Sequence, residues 1–311
     1  MSLRPVPELP PEIAAAYRES STRITLLDVG ANGSPPPVWR PLAPHAHYVG
    51  AGPGSQPLAP DWAGKFATAQ FDDRILTTTD TPSTTFYATT NPTYSSVLRP
   101  QSSAAVDFLE PRLTIDHVAV LPAVTLDALV SQCGLDSIDW IHVNVNGTDV
   151  PLIQSLRDEM FERLLAIDTY LNVADLWVGD ASGLSRLPEL IAEGFWVSRL
   201  HGYGPLRFRR DTLAKLHAID PRIHEAMLSA HVRTPGWMFV RLFRTVEWLN
   251  REAFSPREYL LLWTFALLDG QLGFSADVMC HYEARFTADS IFLAMREVTI
   301  HRILALRPPA P

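Results

Sequence analysis

Ile24-Thr25-Leu26-Leu27-Asp28-Val29-Gly30-Ala31-Asn32-Gly33-Ser34 decides how the rest of the chain is read. Apolar and β-branched residues form a short run, an acid follows, and glycines then punctuate a turn. The pattern predicts a buried strand that stops abruptly and presents a tight loop at its carboxyl end. In an open α/β sheet, ligands bind outside the carboxyl ends of the strands. Gly30 and Gly33 leave room for backbone to approach a ligand. Loop N–H groups can then face a carboxylate or another anion, and Asp28 can accept a hydrogen bond from an ammonium or hydroxyl group. The competing reading is an ordinary strand-to-turn corner.

Upstream, residues 11–19 read as a short helix with Ile13 and Tyr17 on one face. Downstream, Pro35-Pro36-Pro37 suits a helix start, so a cramped helix through Leu42 is expected. His47-Tyr48-Val49-Gly50-Ala51 reads as the second strand, closed by Gly52-Pro53-Gly54. His45 and His47 would share a face of it, but no third metal ligand lies nearby in sequence. Residues 65–98 are rich in β-branched and aromatic residues, with Asp80-Thr81-Pro82-Ser83 as a turn and 91–96 as a polar loop. His117 to Leu121 is another apolar run, and Thr125 is a helix N-cap for 126–131.

Residues 139–146 form the next strand. Ile141, Val143 and Val145 share one face; His142, Asn144 and Asn146 share the other. Residues 164–171 and 195–200 are further strands around a helix, 184–193, and Leu206-Arg207-Phe208-Arg209 reads as an edge strand. Strand and helix alternate, which predicts a doubly wound, mostly parallel α/β sheet. Beyond Asp211, apolar residues recur at helical spacing through 212–218, 222–230, 236–250, 256–269 and 275–306. Ser255-Pro256 and Ser275 read as helix starts. The aromatics there (Trp237, Phe239, Phe243, Trp248, Trp263, Phe265) are expected to pack a core. The chain thus divides into a lead-in, 1–22, an α/β domain, 23–210, and a C-terminal helical extension, 211–311.

The formal net charge of −8 over 311 residues argues against a binder driven by phosphate attraction. The two cysteines, Cys133 and Cys280, lie far apart without metal spacing, which points to a reducing, cytoplasmic setting. No signal peptide is apparent at the N-terminus. The apolar run from Tyr259 to Leu268 is too short for a membrane span.

With these segments placed, the sequence resembles the FkbM-type family of S-adenosylmethionine-dependent methyltransferases. Residues 27–33 look like its first motif, 48–53 like its second strand and corner, and 91–98 like its loop with paired serines. Residues 124–129 are similar to its threonine-leucine-aspartate helix start, and 139–153 to its signature strand and helix. The resemblance covers roughly residues 23–205 and implies the Rossmann-like class I methyltransferase sheet. It implies S-adenosylmethionine as cofactor, with Asp28, Gly30, Ala31, Asn32, Gly33, Gly52, Asp80, Ser95, Ser96 and Asn146 around it. It implies O-methylation of a small-molecule or glycan acceptor, with His142, Asn144 and Asp168 as catalytic positions and His201 as a further candidate base. A homodimer, or pairing with a related methyltransferase, is the expected protein partner.

The chain departs from the family at several of these positions. Gly52 stands where the family has an acid that grips the cofactor ribose; each hydrogen bond lost there costs roughly 1.5–3 kcal/mol. His142, Asn144 and Asn146 stand where the family has a lysine, an aspartate and an acid or amide. Asparagine orients a group but cannot take its proton. Asp149 replaces the usual glutamate at the head of the following helix. Two readings follow: an active O-methyltransferase, and a catalytically degenerate relative acting as a binding or regulatory partner. A nucleotide-dependent enzyme is a third, but the chain has neither Gly-x-x-x-x-Gly-Lys nor a full Gly-x-Gly-x-x-Gly. If the alignment at 52 holds, Gly52→Glu is expected to tighten cofactor binding.

Overall fold

A strand with aliphatic residues on both faces must be covered on both faces, and β1 (Ile24–Val29) is buried along its whole length. The computed structural model describes residues 8–19, 23–54, 58–101, 110–180, 183–204, 210–228, 235–251 and 254–306. The further strands are β2 (Ala46–Ala51), β3 (Thr68–Asp72), β4 (Ile75–Thr77), β5 (Ser83–Thr89), β6 (Ile115–Thr125), β7 (Trp140–Val143), β8 (Ala166–Asn172), β9 (Phe195–Tyr203) and β10 (Trp237–Arg244). Seven of them form one sheet in the order β3-β2-β1-β7-β8-β10-β9. The β3-β2-β1-β7-β8 part is parallel throughout. The order reverses at β1 and β7, the switch point of a doubly wound sheet. A separate small sheet, β4-β6-β5, holds the threonine-rich segments.

The region expected to be a helical extension is part of the central fold. Residues 236–250 were expected to be helical, yet 237–244 form β10, inserted antiparallel between β8 and β9. A run with apolar residues on both faces carries no decisive period, so strand and helix look alike in it. Beyond it, the helices Pro256–Asp269, Leu272–Arg285 and Ser290–Leu304 cover one face of the sheet. Their buried residues join those of the helix Pro11–Glu19 and of Leu26, Tyr48, Trp140 and Phe243 in one core. The opposite face, with Leu27, Val29, Ile141 and Ile167, packs under the helices Leu126–Gln132, Asp149–Gln154 and Leu187–Ala192.

Residues 258–269 are buried without a break, the mark of a helix sunk in a core. The helix starts at Ser255 through a capping box with Glu258, as its sequence predicts. Ser275 does not start a helix; it lies inside Leu272–Arg285 and donates to the Gln271 carbonyl. Of the aromatics expected in a core, Phe243, Trp263 and Phe265 are fully buried. His45 ends a short 3-10 turn, Ala43–His45, so it does not share a strand face with His47. The segment after the prolines makes only a 3-10 turn, Pro37–Trp39. The edge strand expected at 206–209 lies outside the described residues. Among the described residues no helix is long and apolar enough to cross a membrane.

Arg241 fixes the inserted strand. It pairs in register with Asp168 on β8 and donates Nε and Nη2 to the two Asp168 oxygens at 2.7 and 2.6 Å. Its Nη1 reaches Asp269 Oδ1 at 2.8 Å, at the end of the helix Pro256–Asp269. Removing one partner of a buried ion pair strands the other charge, at about 3–5 kcal/mol. Arg241→Ala is expected to lose that much in urea unfolding. Arg222→Ala, which removes the exposed partner of Asp220, should leave the urea unfolding midpoint essentially unchanged. Equal losses would refute the assignment.

Candidate functional site

A cavity of about 230 Å³ opens at the carboxyl edge of β7 and β8. Asn144, Asn146, Gly147 and Asp149 come from the end of β7 and the helix after it; Tyr170 and Asn172 come from β8. Trp237 sits at the start of β10, where the antiparallel register sets it beside Asn172 on one neighbour and Tyr203 on the other. Tyr203 closes the far wall, with Thr93, Tyr94 and Trp177 from loops above the sheet. Drug-sized ligands occupy roughly 300–1,000 Å³, so this cavity suits a small group.

Two of the expected site residues, Asn144 and Asn146, line the cavity. Asn146 also holds it together. It is the one non-glycine residue with positive φ, +63°, among the described residues. Its Nδ2 donates to the carbonyls of Thr93 and Ser95 at 2.9 and 2.8 Å. Ser96 Oγ donates back to the Asn146 carbonyl at 2.7 Å and accepts the Leu98 N–H. Ser95 Oγ accepts the Thr89 N–H at 3.1 Å. Ser96 and the Asn146 amide therefore tie the 93–96 loop to the segment after β7, while Ser95 ties it to the end of β5.

Asp149 adds the only carboxyl among the described lining residues. Its oxygens accept the N–H groups of Val145 and Gly147 at 3.2 and 3.0 Å. Burial nonetheless pushes its pKa up to about 7, against the lowering effect of those donors. Sequence reading singled out Asp149 only as a departure at the head of the helix and missed the aromatic walls. Tyr94, Tyr170, Trp177, Tyr203 and Trp237 lie far apart in sequence and meet only where strand ends and loops converge.

The glycine turn expected to hold a cofactor has its groups engaged internally. Asp28 is 2% exposed. Its Oδ1 is hydrogen-bonded to His142 Nδ1 at 2.8 Å and its Oδ2 accepts the Tyr48 hydroxyl at 2.8 Å. Burial opposes the charged imidazole, but the Asp28 hydrogen bond and the carboxylates of Asp28, Asp168 and Asp149 outweigh it, so the His142 pKa is raised. The N–H groups of Gly30 and Ala31 both donate to the Ala51 carbonyl, at 2.8 and 3.2 Å, rather than facing an anion. Gly30 has φ +84°, and a Cβ there would lie 2.1 Å from the Asn144 carbonyl oxygen. Glycine is thus required at position 30 because two backbones touch there. Asn32 Oδ1 caps the turn by accepting the Ser34 N–H, and the Gly33 carbonyl accepts the Ala59 N–H.

Four further expected site residues also lie apart from the cavity. Asp168 is fully buried, and both of its oxygens are held by Arg241; a carboxylate so paired is withdrawn from base catalysis. Asp80 is an exposed turn residue between β4 and β5 of the small sheet. Gly52 has φ +144°, and a Cβ there would meet Gly30 Cα at 3.3 Å. An acid at 52 would be strained, which reverses the expectation that Gly52→Glu improves cofactor binding. His201 is exposed on β9, its ring 4.5 Å from that of Tyr203. Among the described residues no group of three or more His, Cys, Asp or Glu could hold a metal ion.

No family model, no curated protein and no solved structure matches the chain.

The Asp28–His142 pair has a pH signature. A histidine whose folded pKa exceeds its ordinary 6.5 stabilises the fold fully below that value, and the contribution fades as pH rises through the folded pKa. The melting-temperature gap between wild type and His142→Gln should therefore be wider near about pH 6 than near about pH 9. A gap that does not change with pH would show that the imidazole carries no charge in this pair.

Proposed function

We propose that this chain is a methyltransferase-like protein of the FkbM type that binds a small molecule at the carboxyl edge of its sheet without turning over S-adenosylmethionine. The observation that carries the reading is the inward engagement of Asp28. His142 and Tyr48 hold its two oxygens, and the first two N–H groups of the turn are held by Ala51. A cofactor entering there would have to displace internal hydrogen bonds, each worth roughly 0.5–1.5 kcal/mol net and more where charge is involved.

The sheet supports the methyltransferase side of this reading. A 3-2-1-4-5 order followed by an antiparallel strand slipped in before the sixth is what the class I methyltransferase sheet has, and β10 sits in that place. Fold alone does not assign activity. A second reading, turnover of a hydroxyl acceptor, draws support from Asp149. Its carboxyl lines the cavity and its pKa of about 7 suits a base working near neutrality.

Calorimetric titration with S-adenosylmethionine and S-adenosylhomocysteine separates the two. The expected result is no heat and no thermal shift at about millimolar ligand, whereas binding near about micromolar would overturn the proposal in favour of the enzyme. Gly52→Glu is expected to restore no binding and to destabilise the fold by about 1–3 kcal/mol, the range of a residue forced into a glycine-type conformation.

A further inference from the structure

The cavity walls carry a charge pattern that narrows their ligand. Five aromatic side chains reach it from separate parts of the fold. Tyr94 and Trp237 meet at 80° with ring centroids 6.1 Å apart, and Tyr170 and Tyr203 at 46° and 6.5 Å. Rings set at steep angles make walls around a small volume rather than one flat platform. No Lys, Arg or His lines the cavity among the described residues. Asp149 is the sole carboxyl among the described lining residues, and the Asp180 carboxyl lies 3.6 Å from a Cβ built at Gly147.

The amides offer few free donors. Asn146 Nδ2 is engaged by two carbonyls, and Asn172 Nδ2 donates to Asp180 Oδ2 at 2.5 Å. An anion would find no Lys, Arg or His counter-charge in the described lining. A compact cation would find electron-rich ring surfaces and a carboxyl.

We propose that this cavity is a binding site for a small alkylated ammonium group, held by cation–π contact with its aromatic walls and by Asp149. The site needs no bound S-adenosylmethionine and stands apart from the question of turnover.

Charge at Asp149 then sets the affinity. Its surroundings are the buried His142 of β7, Tyr170 of β8, Asp180 of the loop after β8 and the N–H groups of Val145 and Gly147. Burial holds its pKa at about 7, so the carboxyl gains charge as pH rises through neutrality. A bound cation favours that charged form.

The test is a titration of the full chain with choline chloride, followed by calorimetry and tryptophan fluorescence, against its uncharged isostere 3,3-dimethylbutan-1-ol at matched ionic strength. Choline should bind at about millimolar or tighter, at least about tenfold more tightly than the isostere. Its affinity should rise between about pH 6 and about pH 8 in the wild type and stay level in Asp149→Asn. Tyr170→Phe keeps the ring and should keep the affinity. Tyr170→Leu and Trp237→Leu should each weaken binding by about 2- to 30-fold, the span of one cation–π contact. Equal binding of choline and its isostere, binding of methyl glucoside in preference to choline, or no binding of choline by about 100 mM would each overturn the proposal.

Discussion

One buried arginine holds the sheet in its final form. Arg241 sits in the middle of β10 and is 6% exposed. Both of its flanks meet acid: Asp168 on the neighbouring strand and Asp269 at the end of a helix from the covering layer. Arg199 on β9 reaches Asp269 as well, at 3.0 Å from its Nε. The cluster ties β8, β10, β9 and the C-terminal helices to one another. A guanidinium this deep costs a great deal to desolvate, and it persists because a bidentate carboxylate and a second acid answer it. The ring of Trp140 lies 4.9 Å from its centre on the side of the core. Without this strand in place, Trp237 would not stand opposite Tyr203 and Asn172, and the cavity would have no far wall.

A second buried carboxylate separates fold from function. Asp28 opens the glycine turn at the switch point, where a ligand is expected in a sheet of this kind. Here it serves the protein interior, joining β1, β2 and β7 through Tyr48 and His142. The register makes this pairing direct, since Asp28 lies beside His142 on the adjacent strand. The cavity lies at the neighbouring edge, at the ends of β7 and β8. There the lining is aromatic and amide-bearing, with one carboxyl whose charge burial holds in balance near neutral pH.

Much of the architecture was legible in local pattern. The opening strand and its turn, the cap at Thr125 and the cap at Ser255 follow from spacing and residue chemistry, whereas the strand expected over 139–146 keeps its alternation only to Val143, beyond which Asn146 turns to positive φ. Two features resisted reading. Residues 237–244 are apolar on both sides apart from Arg241 and Arg244, so no period distinguishes strand from helix. Asp168 looked like an available acid because its partner lies 73 residues further along the chain.

The sequence by itself determined a doubly wound α/β sheet, the place of its glycine turn, and the two asparagines that follow β7. Those depend on contacts within a few residues, and local periodicity records them. Only the tertiary structure decided that the C-terminal region supplies both a sheet strand and a covering layer. Only it decided that Asp28 and Asp168 are held by buried internal partners, and that five aromatic residues from separate segments line one cavity. Each of these is a matter of which strand lies beside which, and strand order is set by burial and charge pairing between segments that the chain itself keeps far apart.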